Sequence, residues 1–211
     1  MNKIHYSTLI VTSNKSVTSP DVLFYHDSNG NSIHAGRLAR ACGGRILKKK
    51  ASSLDDIDVG DIQKACPEVV VIQSAVNDLR SLDARDISEK LVKKVRQIRK
   101  TIPKTKIAIS KVTPTKNNRL NVNIDLFNAL NAASLSEDPK VSFVSHDKLT
   151  PGMLRDDIHY SPLGTSIVAR SLCRHLESLL WETPKKFART RYVDSGFWDW
   201  RGNYHYYLWH Y

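Results

Sequence analysis

Three short runs hold residue types that can do acyl chemistry. The first is Asp27-Ser28-Asn29-Gly30, which follows the apolar run Asp21-Val22-Leu23-Phe24-Tyr25. A serine on a strand-to-helix turn can point its hydroxyl into a cleft. The helix N-terminus behind it would supply amide hydrogens and a positive dipole end for a developing oxyanion. The same residues would also make a plain turn and N-cap. The second run, Ala75-Val76-Asn77-Asp78, follows Val69-Val70-Val71-Ile72. The Asn77 amide there can donate to an oxyanion from the opposite side, although Asn-Asp is also an ordinary turn pair. The third run is Asp156-Asp157-Ile158-His159-Tyr160-Ser161-Pro162-Leu163-Gly164. A histidine acting as a base needs a carboxylate on its other nitrogen to fix tautomer and orientation, and Asp156 lies three residues ahead of His159. Ser161 and Pro162 read as the start of a helix.

Each run must sit at the end of a strand to be useful, and the surrounding pattern predicts this. Residues 21–25 read as a buried strand and 31–42 as a helix with Ile33, Leu38 and Ala41 on one side. Gly43-Gly44 closes that helix, and Arg45-Ile46-Leu47 reads as a short strand. Residues 55–65 read as mixed helix and loop. Val69–Ile72 is the clearest central strand, a β-branched run suited to a sheet covered on both faces. Residues 86–100 form an amphipathic helix through Ile87, Leu91, Val95 and Ile98. A strand over 106–110, a helix over 122–135, a strand over 141–144 and a closing helix over 161–180 complete the order. Alternating strands and helices imply a mostly parallel sheet in a three-layer α/β/α sandwich, with ligands gathering beyond the strand carboxyl ends. Expected boundaries are an N-terminal extension over 1–19, the domain over 20–182 and a basic, aromatic-rich tail over 183–211.

The chain has 211 residues, 41% hydrophobic and 25% charged, which suits one such domain. Its three cysteines, Cys42, Cys66 and Cys173, have neither the number nor the spacing of a disulfide framework or zinc site. No apolar stretch reaches membrane-spanning length, and the N-terminus is too polar for a signal peptide. An intracellular protein is the expectation.

The three runs, in this order, resemble the motifs of the SGNH/GDSL hydrolase superfamily. His26-Asp27-Ser28 resembles its Gly-Asp-Ser, Ala75-Val76-Asn77-Asp78 its Gly-x-Asn-Asp, and Asp156 to His159 its Asp-x-x-His. The likeness spans about residues 20–180 and includes the helix entry Tyr160–Gly164 and the run Asn123–Asn128. It implies a flavodoxin-like sheet and a serine esterase without metal or organic cofactor, acting on a small or lipid-like ester. By this resemblance Ser28 is the nucleophile, His159 the general base and Asp156 its orienting carboxylate. Asn77 and the Ser28 amide stabilise the oxyanion. The motif glycines are replaced by His26 and Ala75, and the family's intermediate glycine has no clear match. Lys50-Ala51-Ser52-Ser53 lies in its place, so the amide of Ala51 or Ser52 is the candidate third donor. A narrower similarity is to SGNH-like domains of animal non-LTR retroelements, carried by Phe24–Ser28, by Ile72–Leu79 and by the basic charge. The C-terminal domain of the Oskar protein, a relative, binds RNA without the serine–histidine pair that this chain keeps.

The formal net charge is +11. From Lys90 to Arg119 there are eleven Lys or Arg and no Asp or Glu. The helical part, Lys90, Lys93, Lys94, Arg96, Arg99 and Lys100, is expected to face solvent and to bind RNA or single-stranded DNA. A nucleic-acid-binding module with weak or no hydrolase activity is therefore the alternative to the esterase. The tail's aromatics and cations would stack on bases, pack on the domain, or mediate self-association.

Overall fold

The computed structural model describes residues 19–181 and the backbone of two later strands, Ser195–Trp198 and Tyr204–Tyr207. Residues 1–18 and the rest of the tail, where the expected extension and the tail's packing fall, lie outside the described residues.

Five strands form an all-parallel sheet: β1 (Val22–His26), β2 (Ile46–Lys50), β3 (Val69–Gln73), β4 (Lys106–Ser110) and β5 (Val141–Val144). Their spatial order is β2-β1-β3-β4-β5. The chain steps from β1 to one neighbour and then crosses to the other, so the order reverses beside β1. Ligand sites of open α/β sheets collect at such reversals.

The helices are α1 (Ala35–Cys42), α2 (Val59–Ala65), α3 (Val76–Leu79), α4 (Ala84–Thr101), α5 (Asn118–Leu135) and α6 (Pro162–Leu180). Alternate strand residues serve opposite layers. Val22, Phe24, Val69, Val71 and Ala108 pack with Leu38 of α1 and Val168, Leu172 and Leu176 of α6. Leu23, Tyr25, Val70, Ile72, Ile107 and Ile109 pack with Ile62 of α2, Leu91, Val95 and Ile98 of α4 and Ile124 and Phe127 of α5. The result is the three-layer α/β/α sandwich that the alternating pattern predicts.

Two local differences matter for the site. The helix expected directly behind Ser28 is instead a 3-10 turn over Ser28–Ser32, and α1 begins only at Ala35. Asp27 caps that turn and Ile33 returns to extended backbone, breaking the continuous helix. Asn77 lies within the one-turn helix α3, too short to leave a periodic signature. In the tail, β6 (Ser195–Trp198) and β7 (Tyr204–Tyr207) pair antiparallel, a hairpin that the aromatic composition alone does not predict.

Candidate active site

The turn bearing Ser28 leaves β1 at the order reversal. Its entry is fixed to β3, because the Asp27 amide donates to Gln73 O at 2.9 Å. The Asp27 carboxylate accepts from the Asn29 amide at 2.8 Å. Asp27 is 3% exposed, and burial pushes its carboxyl up to about 6 against the bonds from Asn29 and Gly30. Behind the turn, the Lys48 ammonium donates to Gly30 O and Ile33 O, both at 2.7 Å. Gly30 O also accepts from the Ile33 amide at 3.0 Å, so the ammonium adds a second bond to the carbonyl that closes the turn.

The turn also explains one replaced motif glycine. A Cβ on Gly30 would lie 2.3 Å from His26 Cβ and 2.6 Å from its Cγ. The bulk of His26 is thus admitted by the missing side chain at Gly30, four residues on. The other replaced glycine, Ala75, keeps a left-handed backbone at φ 111°.

His159 sits on a loop pinched by an antiparallel bridge between Leu154 and Tyr160. Within it, Asp156 Oδ1 accepts from the amides of Ile158 at 3.0 Å and His159 at 2.8 Å. These amide bonds, with the imidazole contact, hold the Asp156 carboxyl well below the usual carboxylate range. The carboxylate meets His159 Nδ1 at 2.9 Å through Oδ2. With the Nδ1 proton donated there, the lone pair of Nε2 faces Ser28 Oγ, 3.0 Å away. The α6 entry follows: Ser161 Oγ accepts from the Gly164 amide at 3.2 Å, with Pro162 in the first turn. A Cβ on Gly164 would meet Met153 O at 2.6 Å, so glycine permits the close approach of helix and loop.

Ser28, His159 and Asp156 therefore come together in hydrogen-bonding order. The expected oxyanion donors divide. The Ser28 amide has no acceptor among the described residues. Asn77 Nδ2 donates to Ser52 O at 2.9 Å, which occupies one of its two hydrogens. Ala51 must be corrected: its amide donates to His26 O at 2.7 Å, continuing the β1–β2 ladder, so it cannot serve as a donor. The next amide, Ser52, has no acceptor among the described residues. Asp78, given no separate role by the sequence, holds the same loop by accepting from the Leu54 amide at 3.1 Å.

The basic helix also needs correction. Lys90 pairs with Asp55 at 2.7 Å, Lys94 donates to Ile57 O at 2.8 Å, and Arg99 pairs with Asp138 at 2.9 Å. These three cations are engaged within the fold by groups outside the acid-free segment. Lys93, Arg96 and Lys100 remain exposed at positions i, i+3 and i+7 of α4. Among the described residues, no group of three His, Cys, Asp or Glu could hold a metal ion, and no helix is long and apolar enough to cross a membrane.

No family model matches the sequence, and no curated protein matches it. Solved structures do match the fold. A carbohydrate esterase family 3 protein from Talaromyces cellulolyticus shares 15% identity at TM-score 0.63, over 77% of this chain and 97% of its own. An acetyl esterase mutant with acetate ion shares 16% identity at TM-score 0.64, over 75% of this chain and 97% of its own. A lipolytic protein of the G-D-S-L family from Veillonella parvula shares 14% identity at TM-score 0.57, over 72% of this chain and 96% of its own.

Proposed function

We propose that this chain, built on the fold of the SGNH/GDSL hydrolases, is a serine esterase that cleaves a carboxylic ester by acyl transfer. One observation carries the reading: Ser28 Oγ lies 3.0 Å from His159 Nε2, while the Asp156 carboxylate lies 2.9 Å from the other ring nitrogen. His159 takes the Ser28 proton as Oγ attacks the ester carbonyl, and Asp156 stabilises the imidazolium that forms. The Ser28 amide, the second amide hydrogen of Asn77 and the Ser52 amide are the donors proposed for the oxyanion. His159 then returns its proton to the departing alcohol, and water, activated by the same imidazole, releases the acid and restores Ser28.

Turnover of short-chain aryl esters by the wild type, Ser28→Ala and His159→Ala tests this. Each variant should lose about 1000-fold or more in kcat/KM. Equal rates for wild type and Ser28→Ala would overturn the reading. A second reading, a nucleic-acid-binding module, is favoured by one feature, the exposed row of Lys93, Arg96 and Lys100 on α4.

A further inference from the structure

Asn29 follows the nucleophile in the chain and is only 7% exposed. Its side-chain Nδ2 donates to Ile158 O at 3.1 Å, and its Oδ1 accepts from the Tyr160 amide at 3.0 Å. Those two peptide groups lie on either side of His159. One side chain thus bonds both neighbours of the base, across 129 and 131 residues of sequence. The pairing admits one amide orientation, because Ile158 offers only an acceptor and Tyr160 only a donor. The backbone of Asn29 is itself held by Asp27 Oδ1 at 2.8 Å.

We propose that Asn29 is a positioning residue for the Ser28–His159 pair, its amide bracketing the base from the turn that carries the nucleophile. This rests on the reading of Ser28 and His159 as nucleophile and base. Asp156 fixes the His159 loop from within, through bonds inside that same loop. That arrangement orients the imidazole but leaves its distance to Ser28 undefined. The Lys116 amide, donating to Asp157 O at 2.9 Å, and the Thr113 hydroxyl, 3.2 Å from Tyr160 OH, anchor the loop to the connection after β4. Asn29 adds the direct link to the turn of the nucleophile, since it is covalently one residue from Ser28 and hydrogen-bonded to the residues before and after His159. A residue needed only for packing would be met by an apolar side chain. A buried amide with donor and acceptor both satisfied is suited to fixing relative position.

The test compares wild type, Asn29→Ala and the isosteric Asn29→Asp at about pH 8 and above, where an ionised carboxylate keeps the Tyr160 bond and cannot donate to Ile158 O. With aryl esters, Asn29→Ala should lower kcat about 10- to 100-fold while KM stays within about twofold, as expected for misplaced reacting groups. Asn29→Asp should also lose kcat. A second measurement is independent of turnover: the downfield proton signal of His159 Nδ1, identified by its absence in His159→Gln, should broaden or vanish in Asn29→Ala although Asp156 is intact. Unchanged kcat in a protein whose turnover needs Ser28 would overturn the positioning role and leave the esterase reading standing. Wild-type turnover that survives Ser28→Ala would instead remove the esterase reading, and the proton signal alone would then decide whether Asn29 holds His159. A signal unchanged in Asn29→Ala would overturn the proposal.

Discussion

Ala75 sits fully buried at φ 111°, where an L side chain crowds the backbone. Relief of that strain by Ala75→Gly is worth about 1–2 kcal/mol, and the lost methyl burial plus the freedom returned to the unfolded chain offset most of it. Ala75→Gly should therefore stay within about 1 kcal/mol of wild type, whereas Ala75→Val, β-branched and overpacked, should destabilise by about 2–4 kcal/mol. Urea unfolding measures both; a neutral Ala75→Val would show that the turn relaxes freely. Two buried titrating residues oppose each other. Burial pushes Asp27 up to about 6, so folding takes up a proton between about pH 4 and 6, and its contribution falls as pH rises. Burial pushes His146 down to about 4, so folding releases a proton between about pH 4 and 6.5, and its contribution grows as pH rises. Their sum is nearly flat in the wild type. Asp27→Asn keeps an acceptor for the Asn29 amide and leaves His146 unopposed, so stability should climb by about 2–3 kcal/mol more than in wild type between pH 4 and 6. Parallel curves for the two proteins would refute this. Asp156 and His159 are readable as a pair from sequence because their bond closes within one loop. Asn29 is not, since both its side-chain partners lie more than a hundred residues away.

Elements differ in legibility for similar reasons. The strands β1, β3 and β4 stand out as apolar runs, and α4 as an apolar stripe, because burial dictates composition there. The first turn of α5 is hidden: Asn117 caps it by accepting from the Leu120 amide, and the polar residues that follow carry no stripe. The Ser28 turn is the element where local expectation fails most usefully. Its 3-10 form depends on Asp27, Lys48 and the close contact of Gly30 with His26, none of which is periodic. That contact gives a prediction. Gly30→Ala should destabilise by about 2 kcal/mol or more, because the new Cβ collides with the base of the His26 side chain rather than with a mobile tip. In a His26→Gly background the collision partner is gone, so Gly30→Ala should cost at least about 1 kcal/mol less. Additive effects in the double-mutant cycle would show that His26 does not occupy the space that Gly30 leaves.

At the scale of the whole molecule, charge is a three-dimensional quantity. The run Lys90–Arg119 has no acid in sequence, yet Asp55 from the loop after β2 and Asp138 from the turn after α5 neutralise two of its cations. Counting along the chain overstates the free positive surface that this run gives to α4, where Lys93, Arg96 and Lys100 are its exposed cations with no internal bond among the described residues. If that row meets a polyanion, binding is driven by release of condensed counterions, and the affinity for single-stranded RNA falls linearly with salt on a double-logarithmic plot. Each phosphate neutralised on a single strand contributes a slope of about 0.7, so replacing all three cations by Gln should reduce the slope by about 2. Replacing Lys90, Lys94 and Arg99 by Gln should act differently. Those side chains hold Asp55, the Ile57 carbonyl and Asp138, so their loss should lower the melting temperature and leave the salt slope nearly unchanged. Fluorescence titration of a labelled poly-U strand at several salt concentrations separates the two sets. A wild type with no salt-dependent binding would reduce the α4 row to a solvated helix face. A slope lost equally with either triple replacement would mean that the paired cations reach the strand as well, and that their internal bonds open on binding.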